Sequence, residues 1–218
     1  MPWSNPAGAL IRRLVCLRLP NTSGSRESLM EKEYSMKAVR VLVALSFLLL
    51  GGCLATFKEP IPIGETAPKH LLGTWAGMDE WGEERFLAIT RQADGSYHAL
   101  AWRERLDNRA KARDYAFTVA RHGRRWYLSV AAPERLGGNF AFGGFELTDD
   151  DELVLYSLDI EQLQDVLAKG QLEGQTVETD EGSGVLISSP LAKVYAFLDD
   201  QANSDVFSEV ARFARVTE

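Results

Sequence analysis

Apolar and polar residues alternate with a period of two from Arg85 to Leu158. That is the spacing of a half-buried strand, whose side chains point to opposite faces in turn. Leu87 and Ile89 share one face of a first strand. Asp94-Gly95 then supplies hairpin chemistry. His98, Leu100 and Trp102 share a face of the next strand. Tyr115, Phe117 and Val119 do so in a third, and Trp126, Leu128 and Val130 in a fourth, with His122-Gly123-Arg124 as the turn between them. Phe140–Leu147 is a fifth, in which Gly143-Gly144 predicts a bulge or bend. Glu152–Leu158 is a sixth. Regular turns and aromatic enrichment predict an antiparallel meander. Its apolar face must be buried, so the sheet either curls into a barrel or is covered by helices.

The period then changes. Asp159 with Gln162 three residues on is a capping signal. Ile160, Leu163, Val166 and Leu167 form a helical stripe that Gly170 ends. Gly184–Ser188 predicts a strand. Pro190 suits a first helical turn, and Leu191, Val194, Tyr195 and Leu198 recur at helical spacing. Val206–Val216 carries both periods and is expected to be a short helix followed by a closing strand. The fold class is therefore α+β: an antiparallel meander with two C-terminal helices.

The N-terminal third follows another logic. Lys37 and Arg40 precede an uncharged, mostly apolar run, Val41–Leu50, and then Gly51-Gly52-Cys53. This is the basic, apolar and small-residue order of a secretory signal. Leu50-Gly51-Gly52-Cys53 resembles the lipobox of bacterial lipoproteins. The resemblance implies cleavage before Cys53, a diacylglycerol on its thiol, an acylated new amino terminus, and a membrane anchor facing the periplasm. Leu54, rather than Asp, after the Cys implies the inner leaflet of the outer membrane in a host with two membranes. The competing reading is an uncleaved span, since Val41–Phe57 carries no charge over 17 residues. Met36 opens the signal, so residues 1–35 are expected to be an upstream extension. The organisation is then a signal at 36–52, a lipidated Cys and tether at 53–69, and one extracytoplasmic domain at 70–218. Pro60, Pro62 and Pro68 make the tether a semi-extended spacer.

Leu72-Gly73-Thr74-Trp75 is similar to the Gly-x-Trp opening of lipocalins and their fatty-acid-binding relatives. In those families it begins a closed meander barrel, with the Trp plugging one end and an apolar ligand inside. The resemblance implies a small lipocalin-like barrel in which Trp75, His98 and Trp102 are candidate ligand contacts.

Composition narrows function more than it names it. The chain has 218 residues, a net charge of −7 and two Cys. The acidic balance argues against nucleic-acid binding. With the Cys53 thiol taken by lipid, the mature domain has no disulfide and stands on core packing. Charge divides along the chain: Leu54–Phe142 carries +2, whereas Gly143–Glu218 carries −13. Arg103, Arg105, Arg109, Lys111 and Arg113 form one basic group and Arg121, Arg124 and Arg125 another, both read as solvated connections. His70, His98 and His122 show no metal spacing. No nucleophile elbow or phosphate loop occurs, so no catalytic residue and no cofactor is expected. Two functions compete: an envelope interaction module docking a partner protein, and a binder of a small apolar ligand.

Overall fold

The predicted alternation closes on itself. The computed structural model describes residues 55–79, 82–109, 111–134, 137–179 and 182–217. The predicted extension, signal and Cys53 lie outside the described residues. Eleven strands run in the order β1 (Ala55–Phe57), β2 (Gly73–Met78), β3 (Glu84–Arg91), β4 (Tyr97–Arg103), β5 (Arg113–His122), β6 (Arg125–Ala131), β7 (Phe140–Leu147), β8 (Glu152–Leu158), β9 (Gly174–Thr179), β10 (Gly182–Ile187) and β11 (Phe207–Arg215). Helices α1 (Ile160–Ala168) and α2 (Leu191–Asp199) fall between β8 and β11, with 3-10 turns at Lys69–Leu71 and Gln201–Val206.

From β2 to β8 every strand pairs antiparallel with its successor, and β11 closes the ring between β8 and β2. The result is a closed eight-stranded antiparallel barrel, the meander that the alternation and the Gly-x-Trp opening predict. Closure removes the free edges that an open sheet would present. The chain leaves the ring after β8, builds α1, β9, β10 and α2, and returns as β11. That excursion continues the sheet from β7: β1 pairs antiparallel with Phe140 and Ala141 of β7 and parallel with β10, and β9 borders β10. The far half of β7, Gly143–Leu147, pairs with β8 instead. Both ladders of β7 run through Gly143 and Gly144 in unbroken register, so the bulge that the two glycines predict does not form.

Two cores result. Inside the barrel, Trp75, Leu87, Ile89, Tyr97, Phe117, Val119, Leu128, Leu153 and Phe213 are buried and fill its middle. Outside, α1, α2, β1 and β10 cover the outward face of β6, β7 and β8 through Phe57, Ile61, Phe142, Leu163, Val185 and Leu198. Both predicted helices form on their predicted stripes. Asp159 caps α1, its Oδ1 accepting from the Gln162 amide at 3.0 Å. Ile160, Leu163 and Val166 of α1 and Val194, Tyr195 and Leu198 of α2 are buried. The ambiguous C-terminal stretch forms the expected closing strand β11 but not the expected short helix, since the 3-10 turn Gln201–Val206 ends where that stretch begins.

Two expectations are corrected. The spacer from Leu54 to Lys69 is not a free tether over its described length. Ala55–Phe57 is a sheet strand, and Phe57, Ile61 and Ala67 are 2%, 1% and 5% exposed. The Ile61 carbonyl accepts from the Thr118 hydroxyl at 2.7 Å, and the Ala67 amide donates to the Tyr97 hydroxyl at 2.8 Å. The prolines do stiffen the segment, but burying Phe57 and Ile61 returns roughly 1.5–3 kcal/mol each, enough to hold a pre-extended chain on the barrel. The second correction concerns β4. Its inward residues are Tyr97, Ala99 and Ala101, so His98, Leu100 and Trp102 share the outer face.

A cavity at the barrel rim

Strand lengths open the site. The β6–β7 ladder ends at the Trp126–Phe145 pair, while β7 runs on to Leu147 with β8 as its remaining neighbour. The turn His122-Gly123-Arg124 reverses the chain just before β6, with Gly123 at φ +57°, a conformation glycine adopts without strain. Where β7 outruns β6, the rim is notched. A cavity of about 940 Å³ occupies the notch.

Its lining is aromatic on both sides of the barrel wall. Inward-facing Trp126, Phe145 and Leu147 form one side, and outward-facing Tyr156 and Phe207 the other. Trp126 and Phe145 stack with centroids 5.7 Å apart. The Arg121 guanidinium lies 5.9 Å from the Trp126 ring. The Arg125 guanidinium lies 4.7 Å from the Phe207 ring, and its Nη1 donates to the Leu198 carbonyl at 2.8 Å. Arg124, His70 and Asp149 add polar groups to the border. The Tyr156 hydroxyl donates to Glu146 at 3.2 Å, and partial burial followed by that carboxylate pushes its pKa up.

Trp75 forms the plug beneath this end of the barrel. It is fully buried, and its Nε1 donates to the Leu71 carbonyl at 3.0 Å. The Arg215 guanidinium sits 4.2 Å above its ring. Arg215 also bonds Asp151 at 2.9 Å, the Leu72 carbonyl at 3.1 Å and the His70 carbonyl. One cation thereby ties the last strand to the arm that precedes β2.

The three sequence-predicted ligand contacts are not brought together. Trp75 is in the barrel, but its indole is spent on the plug. His98 is on the outer surface, with Nδ1 2.8 Å from Asp114 Oδ2. Trp102 is buried on the outer face against Phe86, where Arg109 covers its ring at 4.6 Å. The basic connection between β4 and β5 thus folds back as a cap on that indole. None of the three lines the cavity. The sequence places Trp126 on one face with Leu128 and Val130 and makes Arg124-Arg125 part of a basic turn, but it does not mark Phe145, Tyr156 or Phe207 as a site.

Beside the cavity, four side chains converge between the β5–β6 turn and the end of α2. His122 Nδ1 bonds Asp199 Oδ2, and the Tyr127 hydroxyl donates to Asp199 Oδ1 at 3.3 Å. The His122 and Tyr195 rings stack 4.8 Å apart at 9°. Burial pushes the Tyr195 hydroxyl up to about 12 and, with the Asp199 charge added, raises Tyr127 as well. Among the described residues, no three His, Cys, Asp or Glu side chains gather into a metal-binding group.

Comparison with protein-family models, with curated proteins and with solved structures finds no match. The chain's own geometry therefore carries the functional argument.

Proposed function

We propose that this protein is a membrane-anchored extracytoplasmic barrel that binds a small amphipathic molecule in the rim notch. The observation that carries the reading is the cavity of about 940 Å³, within the size range of small-molecule sites, whose lining sets four aromatic side chains among His70, Arg124, Arg125, Glu146, Asp149 and Asp151. Ligand binding moves from the barrel's middle, which side chains fill, to its rim. The envelope-docking alternative keeps only the charge asymmetry of the sequence in its favour.

The full chain carrying Cys53→Ser, titrated with the neutral fluorophore N-phenyl-1-naphthylamine, tests the site. The expected result is saturable binding that Trp126→Leu weakens about tenfold, the scale of one lost aromatic contact. His98→Ala, on the outer face, leaves it unchanged. No saturable binding, or equal affinity in the Trp126 variant, overturns the reading.

The anchor is the other half of the proposal. It rests on the basic, apolar, Gly51-Gly52-Cys53 order of the sequence. With β1 beginning at Ala55, two peptide steps separate it from Cys53, at most about 7 Å of chain. A lipid on Cys53 would hold the barrel close against the bilayer rather than out on a spacer. In the native host, Cys53→Ser is expected to move the protein from the detergent-extracted membrane fraction to the aqueous one. An unchanged distribution removes the lipid anchor.

A further inference from the structure

The cavity has two walls that are far apart in sequence. Arg124, Arg125 and Trp126 belong to the β5–β6 turn and the start of β6. Ser204 belongs to the connection from α2 to β11, and Phe207, the first residue of β11, pairs with Leu158 of β8. That connection is a 3-10 turn with non-helical backbone at Asn203, tied at its far end by the Val206 carbonyl, which accepts from the Asp159 amide at 2.8 Å. It hangs from the end of α2: Asp200 Oδ1 accepts from the Ala202 amide at 3.0 Å, and Asn203 Nδ2 donates to the Phe197 carbonyl at 2.9 Å. The last residues of α2 therefore place the near end of the connection, where Ser204 meets the cavity.

We propose that His122 and Asp199 are positioning residues that latch these two walls together and set the width of the cavity between them. The inference rests on the rim cavity being the binding site. Asp199, the last residue of α2, receives His122 from the turn and Tyr127 from β6. A Cβ on Gly123 would stand 3.0 Å from Asp199 Oδ1, so the glycine serves the carboxylate's close approach as well as the turn. Arg125 adds the second tie, from the same turn to the Leu198 carbonyl and the Phe207 ring. A carboxylate only accepts, so His122 presents its Nδ1 proton to Asp199. The rest of α2 is held by buried Val194, Phe197 and Leu198. Opening the latch therefore frees the end of the helix and the Ser204 side of the wall, while the helix stays docked.

Two substitutions separate the donor from the ring. His122→Phe keeps an aromatic face for Tyr195 and removes the donor. His122→Gln keeps a donor and removes the ring. Hydrogen exchange and N-phenyl-1-naphthylamine binding are read on the full chain with Cys53→Ser. His122→Phe is expected to speed amide exchange across Asp200–Phe207 about tenfold, as loss of one charge-assisted bond would. It should weaken fluorophore binding severalfold and leave exchange in β3, β4 and β5 unchanged. His122→Gln is expected to restore both toward the parent. Unchanged exchange in His122→Phe, or equal damage from Phe and Gln, overturns the latch. A parent that binds no fluorophore overturns the cavity as the site and, with it, the latch's role in binding. Fluorophore binding with identical affinities in parent and His122→Phe sinks the latch and leaves the site standing.

Discussion

Trp75→Ala is expected to cost about 3–5 kcal/mol of folding stability, the range for deleting a buried indole. Trp75 has no exposed surface and belongs to the barrel core with Leu87, Ala101 and Phe213. Truncation removes its transfer free energy and leaves a void that closed strands cannot collapse to fill. It also orphans the Leu71 carbonyl, which now accepts from the indole at 3.0 Å. Arg215 loses the ring beneath it, a contact worth about 0.5–2 kcal/mol, but keeps Asp151 and the Leu72 and His70 carbonyls. Trp75→Phe keeps much of the volume and lacks the donor, so its cost should fall near 1–2 kcal/mol. Urea unfolding followed by far-ultraviolet circular dichroism measures both. A loss under about 1 kcal/mol for the alanine variant would mean that the plug is not part of the cooperative core.

The same tryptophan shows how far the sequence could be read. The period-two run to Leu158 implied a meander, either curled into a barrel or covered by helices, the resemblance at Gly73-Thr74-Trp75 pointed to closure, and each predicted strand face proved uniform. Which face turns inward was another matter. On β4 one face offers His98, Leu100 and Trp102 and the other Tyr97, Ala99 and Ala101; hydrophobicity favours neither decisively. The barrel takes the face with the small alanines, because inward positions must fit around Trp75 and Phe117, and the loop after β4 covers the excluded Trp102. Strand β9, Gly-Gln-Thr-Val-Glu-Thr, has no periodicity to detect and is specified by β10 beside it. The arm from Ala55 to Lys69 reads as a spacer by its prolines, yet its few apolar residues find pockets that only the finished barrel supplies. The cavity was illegible for a similar reason. It arises because β7 runs two residues past the end of its ladder with β6, and relative strand length is a property of pairing. Residue identities put aromatic and basic groups near one another; the register turned them into a site.

A second large loss is expected at the opposite mouth of the barrel, where Asp79→Ala should destabilise the protein by about 3–5 kcal/mol, the range for stripping a buried charge of its partner. Arg85 shares the inward face of β3 with Leu87 and Ile89, lies opposite Gly77 of β2, and is 3% exposed. Its Nη2 bonds Asp79, whose side chain is fully buried, and reaches Glu83 at 3.2 Å. The Arg85 Nε and Nη1 are buried with no hydrogen-bond partner among the described residues, so the guanidinium depends heavily on the carboxylates at its other end. Asp79 also accepts from the Glu83 amide at 2.8 Å and so shapes the β2–β3 turn. Its removal takes away the buried counter-charge and the turn's bond together, leaving Glu83, more than half exposed, as a weak substitute. The two losses can be separated. Asp79→Asn keeps an acceptor for the turn and removes only the charge, so it should recover a minor part of the deficit. Arg85→Met in the Asp79→Ala background replaces a stranded cation with an apolar chain of similar length and should recover most of it, because a buried pair removed whole costs far less than a pair broken. A double-mutant cycle by urea unfolding reads the coupling directly. Additive costs for the two sites would show that Asp79 acts through the turn alone. A coupling above about 2 kcal/mol would show that charge, confined where the barrel excludes water, holds this mouth shut.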